Sequence, residues 1–351
     1  MTRTQPPRHS RAGLYAPFVL VLIVLAGWTG WWFYLTRQID ARLETQVQAL
    51  RQGGWTVRYD DKTITGWPFR THVVLDRLVV GMPSGHALAA PELTAEADAY
   101  QPTKWVVVAP QGLVLTRAGK GEVAVKGDAI RMSASGVDQR WPNLALEMVN
   151  PVFTTQTGAE PFPIARAERI EIYARPHLEG SVAPADDVDV MFRLVGGQGR
   201  ADGPVEGFAQ DGYLTTQIEA VIGQAGLLKT GGDAGGVFSA WTKGGGAFRE
   251  VRGDLQAGDS RATLTSDLLK ADADGRLTGQ VALQAQKPLP ALSGLMATRQ
   301  GAVNRIGAAG AAAAAGAAQA TGQEQLPLTL VFRDGRTWLG PFPLAPAPKL
   351  F

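Results

Sequence analysis

The sequence predicts a mostly β protein: an amino-terminal transmembrane helix followed by an elongated, curved antiparallel sheet with a few short helices. Three observations carry this expectation. Ala12 to Thr36 holds no Asp, Glu, Lys, Arg or His. At about 1.5 Å per helical residue it reaches past the roughly 30 Å of a bilayer's hydrocarbon core. From Trp55 onward apolar and polar residues alternate with a period of two, the mark of strands with one dry and one wet face. Glycine is abundant, at 42 of 351 residues, and Gly-containing pairs separate the alternating runs as hairpin turns require.

Composition narrows the function classes. Three of the 34 Lys and Arg precede the apolar stretch, which leaves 31 bases against 32 acids in the remainder. A nucleic-acid binder would show a clustered basic excess, so none is expected as a partner. There is no cysteine, which excludes disulfides, thiol nucleophiles and Cys-ligated metals. A chain without thiols suits an oxidising envelope compartment.

Residues 1–11 form a basic tail. Arg3, Arg8 and Arg11 stand there without an acid, and a Lys/Arg excess on one short flank marks the cytoplasmic side. The span, residues 12–36, has an apolar centre in Phe18, Val19, Leu20, Val21, Leu22, Ile23, Val24 and Leu25. Trp28, Trp31, Trp32 and Tyr34 crowd its far end, as an aromatic belt at the membrane boundary would. A cleaved signal peptide would have a shorter apolar region and small residues after it, so an uncleaved anchor is expected. The chain beyond Thr36 is then expected in the periplasm of a bacterial inner-membrane protein. Residues 37–54 read as a juxtamembrane helix, with Ile39, Leu43, Val47 and Leu50 on one stripe, stopped by Gly53-Gly54. That stripe is expected to cap one end of the following sheet.

Residues 55–351 read as one β-rich domain. Alternation is clear at Trp55/Val57/Tyr59, Ile130/Met132, Leu144/Leu146/Met148 and Ile170/Ile172. It returns at Val188/Val190/Phe192/Leu194, Ala262/Leu264/Leu268, Leu277/Val281/Leu283 and Leu326/Leu328/Leu330/Phe332. Such half-buried strands joined by short turns predict an antiparallel meander. Gly119-Lys120-Gly121, Asp274-Gly275 and Asp334-Gly335 read as hairpin tips. Helical signal is sparse. A short helix is expected within Gly232–Thr242, and another over Ser293–Arg305. The Ala/Gly-rich segment at 306–325 is expected as a low-complexity linker or a mobile helical extension, because its glycines weaken the alanine signal.

Two motifs add to this. Gly66-Trp67-Pro68-Phe69-Arg70 makes a bend that a regular strand interior would not accept. At least one of Trp67 and Phe69 is expected to turn inward as a core anchor. The second runs Asp334-Gly335-Arg336-Thr337-Trp338-Leu339-Gly340-Pro341-Phe342-Pro343-Leu344, and its prolines read as an extended segment blunting a sheet edge. With Tyr100-Gln101-Pro102 and Trp241 before Gly244-Gly245-Gly246, these motifs give the chain a resemblance to an uncharacterised family of proteobacterial envelope proteins, the domain of unknown function 2125. The resemblance implies an amino-terminal anchor and a long β-rich region, and no activity or catalytic residue. A looser resemblance, in the style of strand, Asp-Gly turn and strand, links the chain to AsmA-like envelope proteins with lipid-binding β-grooves.

Chemistry has few footholds. The four histidines, His9, His72, His86 and His177, show no metal-ligand spacing, and no cofactor is expected. No phosphate loop or nucleophile elbow is present. Asp272-Ala273-Asp274-Gly275 reads as a turn before it reads as a calcium loop. The expected function is the binding or guiding of an apolar envelope molecule, such as a lipid, along the sheet's apolar face. The expected groove lining is Val188, Val190, Phe192, Val281 and Leu283. The alternative is an envelope scaffold with a closed core that binds a protein partner.

Overall fold

The computed structural model describes residues 12–178, 186–210, 212–229, 236–299, 301–321, 323 and 325–351. Arg3, Arg8 and Arg11 lie outside the described residues. Helix α1 (Ala12–Gln52) is continuous through Thr36, so the expected span and juxtamembrane helix are one rod. It leads into β1 (Thr56–Arg58), β2 (Asp61–Thr65), β3 (Arg70–Gly81) and β4 (Ala87–Asp98). Then come β5 (Lys104–Val108), β6 (Leu113–Arg117), β7 (Gly121–Lys126), β8 (Ala129–Ser135), β9 (Asn143–Val149), β10 (Val152–Thr155), β11 (Ile164–Arg166) and β12 (Arg169–Pro176). β13 (Val188–Gly199), α2 (Pro204–Ala209), β14 (Leu214–Ile222), α3 (Val237–Lys243), β15 (Phe248–Ala257), β16 (Ser260–Ala271) and β17 (Leu277–Gln286) follow. The chain closes with α4 (Pro288–Ala297), α5 (Arg305–Ala320), β18 (Gln325–Arg333), β19 (Arg336–Leu339) and β20 (Phe342–Pro346).

All strands belong to one antiparallel sheet. Many of the short strands are halves of longer ones. β5 pairs β8 while β6 pairs β7, and β9 pairs β12 while β10 pairs β11. β5–β6, β7–β8, β9–β10 and β11–β12 are therefore long strands interrupted once each. Counted this way, the sheet is a single meander from β1–β2 to β20 in which each rung pairs with the rung before it.

The interruptions form a line across the sheet. Backbone bonds skip at Ala109 (N–H to Ile130 carbonyl, 3.0 Å), Asp128 (to Val149, 2.9 Å), Asn150 (to Glu168, 2.8 Å) and Glu168 (to Val195, 3.0 Å). Arg77 and Asn150, at φ 48° and 47°, adopt the left-handed conformation, outside the range of a regular strand. Register shifts at Leu194/Gly197, Glu219/Val221 and Thr265/Leu269 add bulges, which bend and twist the strands that carry them. The curl is real: residues from β12 through β18 line one cavity, whereas in a flat sheet those strands stand about 30 Å apart.

The helices differ from expectation in instructive ways. α4 begins at Pro288 and ends at Ala297, earlier than the expected Ser293–Arg305. Pro at the first helical position is pre-organised for a helix start. The Ala/Gly tract is a regular helix, α5, and not a linker. Asn304 Oδ1 caps it by accepting from Gly307 N–H at 3.0 Å. Its buried face is Gly307, Ala308, Ala311, Ala312 and Ala315, at helical spacing. A Cβ on Gly307 would come within 1.8 Å of the Pro343 carbonyl oxygen, and one on Gly310 within 2.4 Å of the Phe342 ring. Small residues are there because β20 lies against the helix backbone. The expected helix within Gly232–Thr242 is α3, although residues 232–235 lie outside the described residues. Trp241 on α3 is fully buried and donates its indole N–H to Gly223 carbonyl at 2.8 Å.

One strand reading also changes. A register shift between Thr265 and Leu269 moves the inward position from Leu268, 45% exposed, to Leu269, which is buried. A bulge inserts one residue and reverses the alternation beyond it.

Candidate apolar groove

Directly paired residues of an antiparallel sheet point to the same face. Following the register rung by rung gives Ile64, Val73, Ala95, Val107, Met132, Leu146, Ile172 and Phe192. It continues through Ile218, Gly253, Leu264, Leu283 and Leu328. Every member is apolar or glycine. At about 4.8 Å per strand this strip runs on the order of 55 Å.

One residue further along each strand the side chains point to the other face. There the same walk gives Arg131, Glu147, Glu171, Arg193, Gln217, Asp254, Thr263 and Gln284. Glu147 and Glu171 stand side by side and would repel. Arg131 pairs with Glu147 at 2.5 Å, and Arg193 with Glu171 at 3.5 Å. Arg169 reaches both carboxylates, at 3.5 and 3.7 Å. The outer face is thus polar and self-neutralised.

Two helical caps cover the ends of the strip. At the first end Ile39, Leu43 and Val47 of α1 pack on Val57, Val73 and Leu75. At the other end Leu289, Leu292 and Leu295 of α4, with the alanine face of α5, pack on Leu326, Leu328 and Leu330. Between the caps no described element covers the strip: Met132 is 37% and Ile172 41% exposed, with Val107, Leu146 and Phe192 half-buried. A second layer would have buried both.

Toward the α4 end the trough deepens into a cavity of about 610 Å³ lined by Phe192, Ile218, Leu264, Leu283, Leu292 and neighbouring apolar side chains. Ser260 is among the few polar residues in the lining, and its hydroxyl is already engaged. It donates to Lys287 carbonyl at 2.7 Å and accepts from Ala291 N–H at 3.2 Å. No unsatisfied polar group of Ser260 is left to demand a polar ligand.

Of the residues expected to line a groove, Val190, Phe192, Val281 and Leu283 face this cavity. Val188 is on the same face but is buried under Trp241, Ile222 and Ala225. Met132, Leu146 and Ile172, the uncovered middle, were visible as strand residues by alternation. Their alignment with Phe192 and Leu283 depends on pairing across the sheet, which one strand's pattern does not contain.

The motif residues fall at turns. Asp334 and Gly335, at φ 52° and 68°, form the tight turn between β18 and β19. Gly340 and Pro341 turn the chain into β20, where Pro343 sits on an edge strand paired only with β19. Gly66, at φ 105°, would place a Cβ 2.7 Å from Arg70 carbonyl oxygen, so the turn requires glycine. The expected core anchor is overturned: Trp67 is 50% and Phe69 63% exposed. The small core at this rim is filled by Trp32, Leu35 and Ala99, and Trp67 Nε1 instead donates to Thr29 Oγ1 of α1 at 3.3 Å.

The histidines are dispersed. His86 Nδ1 lies 3.2 Å from Ser84 Oγ, and His177 Nδ1 lies 2.5 Å from Asp189 Oδ1. His72 lies 3.9 Å from Glu96. Each of these is a contact between two groups, and His177 and Asp189 line one pocket with Ser133, Ser135 and Tyr173. Among the described residues no group of three His, Asp or Glu could hold a metal. Asp272 Oδ1 accepts from the N–H groups of Asp274 and Arg276, at 3.0 and 2.9 Å, as a turn residue does.

Fold and groove together define a β-rich protein with a long amino-terminal helix, apolar and long enough to cross a membrane. The chain belongs to the family described as "Uncharacterized protein conserved in bacteria (DUF2125)", whose model matches residues 32–348. No curated protein and no solved structure matches it.

Proposed function

We propose that this is a single-pass protein of the bacterial inner membrane whose periplasmic sheet binds, and guides along its trough, an apolar envelope molecule of the lipid class. Arg3, Arg8 and Arg11 on the flank before the helix support an amino terminus in the cytoplasm. The observation that carries the reading is the uncovered apolar strip between α1 and the α4 cavity. Soluble proteins rarely leave so long an apolar surface bare. A lipid chain needs apolar contact and no fixed hydrogen bonds, which is what Met132, Ile172 and the cavity offer.

The test is native mass spectrometry of the full chain extracted in mild detergent. The wild type is expected to carry adducts of phospholipid mass. Met132→Asp and Ile172→Asp, at positions exposed enough to keep the fold, are expected to lose them with an unchanged circular dichroism spectrum. A bare wild type, or variants that keep the adducts, would replace this reading with the scaffold.

A further inference from the structure

The end of the sheet nearest α1 carries a group of aromatic side chains that neither the core nor the trough uses. Trp67, Phe69 and Tyr100 are 50%, 63% and 62% exposed. They stand on adjacent turns of one rim, between β2 and β3 and between β4 and β5. Three indoles of α1 bind that rim through its backbone. Trp28 donates to Pro68 carbonyl at 2.7 Å, Trp32 to Arg70 at 2.8 Å and Trp31 to Ala99 at 3.2 Å. The Trp28 and Phe69 rings lie 6.3 Å apart. The height of these turns along the helix is therefore fixed.

That height has a meaning. A span takes roughly 20 residues. Counted from Ala12, just after Arg11, it ends at about Trp31, level with Trp67 and Phe69. Below that level Phe18 to Leu25 are 43–66% exposed, and a Cβ on Gly27 or Gly30 would meet nothing within 4 Å. The bare helix surface and the bare rim are continuous. Tryptophan and tyrosine favour the membrane–water boundary, where the ring is apolar and its polar atom stays wet.

We propose that Trp67, Phe69 and Tyr100 form a second membrane contact, seated in the headgroup–acyl boundary of the bilayer that α1 crosses. The proposal rests on α1 being membrane-inserted and not on lipid occupying the trough. Two contacts fix the domain's orientation, whereas a lone helix lets it swing.

The chain contains no cysteine, so one introduced thiol carries one nitroxide. Phe18→Cys, Phe69→Cys, Tyr100→Cys and Ile306→Cys, the last at an 86% exposed site on α5, would be labelled in the full chain. Each would be reconstituted in phosphatidylethanolamine–phosphatidylglycerol vesicles. Collision rates with oxygen and with a water-soluble nickel chelate report depth. Labels at 69 and 100 are expected to favour oxygen at least threefold more than the label at 306, and less than the label at 18. If 69 and 100 match 306 while 18 is lipid-exposed, the rim stands clear of the membrane and the proposal fails. If 18 is also water-exposed, its premise fails. Protection of 69 and 100 in native membranes but not in vesicles would assign the rim to a protein partner and overturn the lipid contact.

Discussion

Trp32 donates its indole N–H to the backbone carbonyl of Arg70, 2.8 Å away and 38 residues later in the chain. The ring is 7% exposed and packs with Leu35 and Ala99. One side chain thus joins the apolar helix to the first long strand. Trp32→Phe keeps an aromatic ring but removes the donor and leaves the carbonyl unpaired. The expected cost is about 1–2 kcal/mol, read as a fall of about 2–4 °C in melting temperature in detergent. An unchanged melt would mean that this bond adds nothing to the junction that Trp28, Trp31 and the α1 stripe also make.

Trp241 and Trp67 should respond oppositely to truncation. Trp241 is fully buried against Phe238 and Phe248. Trp241→Ala is expected to cost about 3–5 kcal/mol. Trp67→Ala, at a half-exposed rim position, should shift the melt of the detergent-solubilised chain by less than about 1 kcal/mol. Equal effects would put Trp67 back in a core.

Two glycines of one helix should differ in sign. Gly307→Ala drives a Cβ into the Pro343 carbonyl, at 1.8 Å. It is expected to destabilise by about 1–3 kcal/mol through overpacking. Gly316→Ala meets only Leu289, at 3.8 Å, and is expected to stabilise by about 0.5–1 kcal/mol through helix propensity. Denaturant unfolding of the two variants beside the parent measures both.

The junction of α1 with β2 predicts a pH dependence. Lys62 Nζ lies 2.6 Å from both Asp40 and Glu44, and Tyr59 donates to Glu44 at 2.8 Å. The hydrogen bond from Lys62, then that from Tyr59, holds the Glu44 carboxyl below its ordinary range. Burial pulls the Lys62 ammonium down, but its bonds to Asp40 and Glu44 outweigh this and raise it overall. A depressed carboxyl adds stability above its unfolded pKa of about 4.5, and that contribution is lost as pH falls through the folded value. The raised lysine adds stability that is complete below its unfolded pKa of about 10.5, so it does not vary between pH 4 and 8. The melting temperature of wild type should therefore exceed that of Glu44→Gln at pH 7. The gap should close below pH 4.5. A gap independent of pH would show that Glu44 acts by packing alone.

Much of the fold was legible from local pattern. The long apolar helix, the alternating strands and the Asp334-Gly335 turn each follow from a few adjacent residues. What was not legible depends on residues distant in the chain. The alanine–glycine tract looked like a weak helix because its glycines lower propensity, but Gly307 and Gly310 are required by Pro343 and Phe342, more than thirty residues later. Trp67 and Phe69 looked like core residues because large aromatics usually are; their exposure depends on where the turn sits relative to α1. Leu268 was misplaced by one bulge. The polar and apolar faces were readable strand by strand, whereas the unbroken strip from Ile64 to Leu328 emerges only once every register is known.

The meander also sets an order of assembly. Each rung pairs with the rung made just before it, and the next residues to arrive find a single growing edge. Contacts stay local along the chain, which favours rapid, stepwise formation. A chain emerging amino terminus first can zip as it appears, starting on the α1 stripe that covers Val57 and Val73. Until the last strand docks, that edge is an open template for another chain. β20 ends the process: Pro343 and Pro346 lack the N–H a further strand would need, and α5 closes over it. The prolines of β20 thus act as a stop signal for strand addition at that edge.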